Sequence, residues 1–382
     1  MTQETILANA MLVLPDETVR GALLLRDGKI QALETGTSVP SGAVDCQGDY
    51  VAPGLVELHT DNLERHLHPR PKVNWPHLPA ILAHDQEMAG AGVTTVFDAL
   101  RIGFFQSAAR NKLRKGYARE VATELRNLGE QGTLKIRHHV HLRAETCSET
   151  LIDELADFGP EDRVGIMSLM DHTPGQRQFA DMGKFETYTR GKHDLPSDGF
   201  DDYVRFLQEL RSRLGQTHEN AVVEAAARCG AVLASHDDTT EQQVETSVQY
   251  GARLAEFPTT VAAARASKMR GMATVLGGPN LVRGASHSGN VAAAELADLG
   301  ILDIISSDYA PASLLLGAVQ LGQRWDNMAK GLATVTSTPA QAVGWTDRGR
   351  LGVGLAADVI RFKLVGNVPT LQAVWCKGAR VA

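Results

Sequence analysis

The residues best suited to chemistry sit where apolar runs stop. The stretch from Val51 to His68 reads VAPGLVELHTDNLERHLH. Val51, Leu55, Val56 and Leu58, entered through Pro53-Gly54, make a strand that closes on His59 and Asp61. Residues two apart on a strand point to the same side, so this imidazole and carboxylate can converge on one cation. A lone histidine at a strand end is ordinarily a hydrogen-bonded rim residue, but here the pattern repeats. IRHHVHLRAE ends at Glu145, VGIMSLMDH at His172, AVLASHDD at His236-Asp237-Asp238, and ILDIISSDY at Asp308. His59, Asp61, Glu145, His172, His236 and Asp308 therefore form the candidate metal-ligand set. Such donors suit Zn²⁺, and also Mn²⁺ or Fe²⁺. With no cysteine among them, an open catalytic site is expected rather than a closed structural one. One ion or two can be held, the second if Glu145 bridges. Asp308 is the candidate general base, accepting the proton of an attacking water.

A second group of residues is cationic. The strand IRHHVHLRAE places His139, His141, Arg143 and Glu145 on one face. Arg65, Arg70 and Lys72 follow the first strand, held among Pro69, Pro71 and Pro76. Arg177 lies just past His172, and Arg190 and Lys192 lie in an insertion from about 173 to 200. The GGPNLVRGASHSGN stretch joins Gly277, Gly278 and Gly284 to Arg283, Ser286 and His287, ahead of a helix expected near Asn290. Fixed cations and N–H donors suit phosphate groups, and glycines before a helix start make an anion site. Arg65, Arg70, Lys72, Arg143, Arg177, Lys192, Arg283, Ser286 and His287 are the candidate phosphate contacts. The alternative for each one singly is a solvated loop charge. Glu256, Asp98 and His84 stay open between core and site.

The elements that would position these residues alternate. Strands are expected at Val93–Leu100, Ile136–Glu145, Val164–His172, AVLASHDD, ARLAEF, MATVLGG and ILDIISSDY. Helices are expected over 106–128, 149–158, 201–214, 218–229, 239–250, 259–269, 290–299, 312–322 and 326–344. With the opening strand this makes about eight strand–helix units, the α/β pattern of a (β/α)8 TIM-like barrel. Barrel active sites lie at the C-terminal strand ends, and loops after strands seven and eight often hold phosphate. Both chain ends read as short, Gly-punctuated strands, with Asp27-Gly28 as a hairpin signal. Each end alone is too small to bury a core. The expectation is one small β-sandwich domain from residues 1–50 and 346–382, beside a barrel of residues 51–345.

Composition bounds the function. At 382 residues, 43% hydrophobic and 22% charged, the chain has material for a large soluble core. A net charge of −7 argues against a nucleic-acid or membrane-surface binder, while leaving room for a locally basic site. Cys46, Cys147, Cys229 and Cys376 lie far apart with no CxxC pair, as expected of reduced, buried cysteines in a cytoplasmic enzyme. No signal peptide or transmembrane run is expected. A homodimer is compatible with the sequence, which picks no face for it.

The strand-end constellation, the APG entry, GVTTV at 92–96 and GLAADV at 354–359 resemble the amidohydrolase superfamily. The resemblance implies a metal-dependent hydrolase with an aspartate proton acceptor on the last strand. The HxH of that superfamily is His59-Thr60-Asp61 here, and no lysine ends the fourth strand. Longer segments, among them GLVELHTDNLERH, HPRPKVNWP, DHTPGQRQF, ASHDD and GGPNLVRGASHSGN, resemble one branch. That branch hydrolyses a ribose-linked 5-triphosphate to the 5-phosphate and pyrophosphate in bacterial phosphonate use, so a phosphorylated small-molecule substrate is implied. Two other readings compete. One is C–N hydrolysis by a cyclic amidase or deaminase, which would need fewer cations. The other is a barrel without metal that serves as a scaffold.

Overall fold

The computed structural model describes residues 4–70, 73–106, 115–179, 182–183, 185–186, 199–286 and 288–382. Eight parallel strands run in chain order around a barrel: Leu55–Thr60, Val93–Ile102, Arg137–Glu145, Val164–Met170, Val232–His236, Leu254–Glu256, Ala273–Gly277 and Ile304–Ser306. The first and eighth strands close it through a Thr60–Asp308 bridge. Asp61 N–H donates to the Asp308 carbonyl at 2.8 Å, and Asp308 N–H donates to the His59 carbonyl at 3.1 Å. Below this, the buried Glu57 carboxylate accepts from Ser307 N–H at 2.6 Å and His59 N–H at 2.7 Å. Burial pushes Glu57 up to about 7, with those backbone donors holding it back. Inside, Val56, Leu58, Phe97, Ile166, Ala234, Leu254, Val275 and Ile304 fill the barrel, drawn from most of the strands. The β-branched and aromatic content of these runs favours a strand.

The two chain ends share one mixed sheet, as expected. Tyr50–Pro53 lies between Glu4–Val13 and Val359–Val365, with Val368–Cys376 next beyond. One face curls over its own cluster, in which Leu12, Leu23 and Ile30 meet Val359 and Trp375. The other packs on the barrel, where Ala52, Ile360, Phe362 and Val374 meet Leu55, Met88 and Val93. The opening stretch is therefore two strands, not one. Val51 pairs with Leu12 and Arg361, and the chain passes into the barrel at Gly54. A Cβ at Gly54 would lie 2.3 Å from Thr94, so the close crossing requires glycine.

Two helices expected on either side of Gly215 are one, Phe200–Cys229. Gly215 is not a break. A Cβ there would lie 1.6 Å from Arg211, which lies over this position and bonds Asp171 at 2.7 Å and also Glu219. The expected 326–344 helix is instead two short ones, Met328–Ala333 and Ser337–Ala342. Of the expected 106–128 helix the described part is Tyr117–Glu130.

His84 and Asp98 belong to a buried network on the barrel's outer wall, beneath the helix His77–Gly90. Asp98 accepts from His84 Nε2 and His138 Nδ1, both at 2.7 Å. His138 Nε2 reaches Asp85 at 3.2 Å, and His84 Nδ1 accepts from the Asn62 amide at 3.0 Å. His138 faces two carboxylates. Burial opposes its charge, yet Asp98 and Asp85 outweigh burial and raise it to about 9. Burial likewise raises Asp98, but His138 and His84 overcome this and hold it low.

Removing one partner would strand a buried charge, so Asp98→Ala should cost about 3–5 kcal/mol in urea unfolding. Because the folded pKa of His138 lies above its ordinary value of about 6.5, its stabilisation is full below that value. It is lost as pH rises through about 9. The unfolding free energy should fall over that window, and the fall should be missing in His138→Gln.

Candidate active site

The C-terminal strand ends open into a cavity of about 560 Å³. His59, Asp61, Glu145, His172, His236 and Asp308 all line it, with Arg65, Arg143, Arg283 and Ser286. The first strand delivers His59, 1% exposed, whose Nδ1 lies 2.9 Å from Glu256 Oε1. His236, at the end of the fifth strand, places Nδ1 3.2 Å from Glu256 Oε2. The two rings stack with centroids 5.7 Å apart. Both keep Nε2 on the side of aspartates: Asp61 lies 3.8 Å from His59 Nε2, and Asp237 3.5 Å from His236 Nε2.

Two groups of donors at this mouth are compact enough for one ion, His59–His236–Glu256 and His172–His236–Asp237. A third, His84–Asp98–His138, is the outer-wall network. The mouth donors fit a divalent ion chemically. They are imidazoles and carboxylates, and the rings are oriented by carboxylates at their far nitrogens, as metal-ligating histidines are. Glu145 stands one contact away. Its Oε2 lies 2.5 Å from His172 Nδ1 and 3.4 Å from Arg101. Burial raises its pKa, but the His172 ring and Arg101 outweigh burial and bring it down to about 2. Burial also raises Asp61, and Arg143, 2.7 Å away, with His59 overcomes it. Both carboxylates are held ionised, Asp61 as a ligand must be and Glu145 as the partner of the His172 ring.

Asp308 adopts φ 53° just past the eighth strand. Asp237 and Phe257 do the same past the fifth and sixth, at 57° and 52°. This left-handed backbone is tolerated by aspartate and costly for phenylalanine. Phe257 is held edge-on between the His59 and His236 rings, at 4.9 and 5.3 Å. A Cβ on Gly277 would lie 3.6 Å from Asp308 Oδ2, so the seventh strand end passes close to that carboxylate.

The cationic residues divide. Arg65 reaches over the cavity and donates to the Tyr309 carbonyl at 2.7 Å. Arg283 and Ser286 line the cavity, whereas Arg143 is bound to Asp61. Arg177 does not line it; it donates to the His236 carbonyl at 2.8 Å and to Asp238, so its charge supports the fifth strand end. Arg70 is exposed and bridges Val73. Lys72, Arg190, Lys192 and His287 lie outside the described residues. The glycines after strand seven do not form an open loop. A short helix, Gly278–Arg283, starts at the strand end, and Gly278 packs where a Cβ would meet Ser313 at 2.6 Å. The next helix begins at Ala293.

Three residues of the mouth lie outside the sequence-derived set. Asp237 follows His236 directly, and Glu256 ends the sixth strand as acidic residues end the others, so both carried a positional signal. Arg101 ends the alternation Phe97–Ala99–Arg101 on the second strand and lies 5.7 Å over Phe104. One wall of the cavity is apolar, formed by Phe104, Phe105, Phe179, Phe185, Tyr203 and Leu207.

No protein-family model matches the chain. It is 40% identical over 379 residues to alpha-D-ribose 1-methylphosphonate 5-triphosphate diphosphatase of Escherichia coli (strain K12), covering 98% of this chain and 100% of that one. Among solved structures it is similar to 5-methylcytosine deaminase from Klebsiella pneumoniae, with TM-score 0.65, 14% identity, and 99% and 98% of the two chains covered. It is also similar to N-acetyl-D-glucosamine-6-phosphate deacetylase from Mycobacterium smegmatis, with TM-score 0.63, 14% identity, and 99% and 100% covered. These likenesses carry the barrel with its end sheet. The full-length identity carries more: the chain belongs to the alpha-D-ribose 1-methylphosphonate 5-triphosphate diphosphatase family.

Proposed function

We propose that this chain hydrolyses the 5-triphosphate of alpha-D-ribose 1-methylphosphonate 5-triphosphate to the 5-phosphate and pyrophosphate, in phosphonate catabolism. The observation that carries the reading is the 40% identity to a diphosphatase of that name across its full length. It is supported by a cavity in which a cluster of imidazoles and carboxylates faces Arg65, Arg101 and Arg283. A C–N hydrolase would not need that density of cations.

Zn²⁺ is the ion we favour at the mouth, with Mn²⁺ or Fe²⁺ as the other candidates. His59, Asp61, His172, His236 and Asp237 would hold it, with Glu145 bound to His172. When bound, a divalent ion supplies Lewis acidity to the attacking water and to a phosphoryl oxygen. The chain's own residues do the rest. Asp308, fixed by its backbone bonds to His59 and Asp61, takes the proton of the attacking water. Arg65 and Arg283 offset charge on the departing pyrophosphate. Arg143 keeps Asp61 ionised. The aromatic wall excludes water from one side of the substrate. A division into an end unit, expected as 1–50 with 346–382, and a barrel, expected as 51–345, belongs to the same reading, with the first boundary moved to Gly54 by the pairing of Val51–Pro53. So does a cytoplasmic setting, in keeping with four buried, unpaired cysteines. No helix among the described residues is long and apolar enough to cross a membrane.

Phosphorus NMR of products formed in ¹⁸O-labelled water tests the reaction. Pyrophosphate must appear, and the label reports the phosphorus attacked; ammonia or a new carboxylate from a C–N substrate would favour the other class. Asp308→Asn should keep its bound metal by elemental analysis and lose turnover by about 100-fold or more. An undiminished rate would remove Asp308 as proton acceptor. Arg283→Ala should raise KM about tenfold or more with metal content unchanged, since it removes a charge-assisted phosphate contact.

A further inference from the structure

We propose that Glu256 is the positioning residue that decides which nitrogen of His59 and of His236 faces the cavity. The inference rests on the metal-dependent reading of the site and deepens it. Glu256 ends the sixth strand with 1% of its surface exposed. Its two oxygens bond three groups, with the His141 ring also 3.7 Å from Oε1. Oε1 lies 2.9 Å from His59 Nδ1; Oε2 lies 3.2 Å from His236 Nδ1 and 2.6 Å from the Ser168 hydroxyl. A carboxylate only accepts, so both rings must carry their proton on Nδ1 when bonded this way. On the neutral rings Nε2 is then bare, and it is the atom nearest Asp61 on one ring and Asp237 on the other. One buried side chain thus prepares two ligands, from strands one and five, for the same cation. Ligating a metal through the same oxygens would require both imidazoles to turn away. Phe257, wedged edge-on against both rings, opposes that turn.

Glutamine at this position has the same shape but one acceptor end and one donor end. It can accept from one Nδ1–H only. The other ring must present a lone pair at Nδ1, and its proton moves to Nε2, where it blocks coordination. Aspartate keeps two acceptors.

The test is a long-range ¹H–¹⁵N correlation spectrum of metal-free, ¹⁵N-histidine-labelled protein. His59 and His236 are identified by their loss in His59→Gln and His236→Gln. Wild type should show both rings protonated at Nδ1. Glu256→Gln should show one of the two protonated at Nε2, with Zn²⁺ affinity lower by roughly 10–100-fold. Glu256→Asp should restore both tautomers and bring affinity back toward the wild type. A wild-type spectrum in which either ring, in its neutral form, is protonated at Nε2 and bare at Nδ1 overturns the proposal, and decides the matter even if Glu256→Gln does not fold. So does wild-type Zn²⁺ affinity in Glu256→Gln, or a zinc-loaded crystal structure with a Glu256 oxygen bonded to the ion. If the tautomers and affinities are as expected but zinc-loaded wild type releases no pyrophosphate, the positioning role stands and the functional reading falls.

Discussion

The structure depends on how the first strand meets the eighth. A closed sheet of eight strands must join its last to its first, and here the joint is made of site residues. Asp308 exchanges backbone bonds with His59 and Asp61, while the Glu57 carboxylate ties Ser307 to the His59 amide. Closing the barrel and aligning the general-base candidate with the first-strand donors are one event. A shift of one residue along this joint would carry Asp308 away from the cluster and leave buried N–H groups without acceptors. The register is therefore set by the fold, and the chemistry takes its geometry from that register.

Around the joint, buried charge is matched by buried charge. Asp61 has Arg143, Glu145 has His172 and Arg101, and Glu256 has the imidazoles of His59, His236 and His141 and the Ser168 hydroxyl. Each carboxylate would be lifted by burial alone, and each is drawn back down by its neighbours. The mouth is acidic at its centre and cationic toward Arg65 and Arg283.

Much of this was legible in the sequence because barrels write their sites in a regular place. The strands at 93, 137, 164, 232, 254, 273 and 304 follow from apolar runs, and His59, Glu145, His172, His236 and Asp308 from what ends them. Misreadings came where tertiary contact overrides local signal. Val51 looks continuous with Leu55 because both are apolar; only the pairing with Leu12 and Arg361 separates them. Gly215 reads as a helix break, yet it is a channel for Arg211. Gly278 packs against Ser313, a contact invisible without coordinates, while Gly277 lines the cavity. Arg177 is a plausible phosphate ligand by position, and its pairing with Asp238 is invisible without coordinates. Glu256 reads as one more acidic strand end; that it faces the rings of His59 and His236 depends on side-chain packing that local sequence does not encode.

The end sheet has a consequence for how the chain is made. Tyr50–Pro53 finds one neighbour in the first strand of the chain and the other in Val359–Val365, about 300 residues downstream. During synthesis that edge stays bare until the ribosome has nearly finished, and so does the side of the first barrel strand that awaits Ile304–Ser306. Such distant pairings make assembly slow relative to local helix formation. The largely apolar stretch from Val51 to Leu58 thus waits for its distant partners through most of translation.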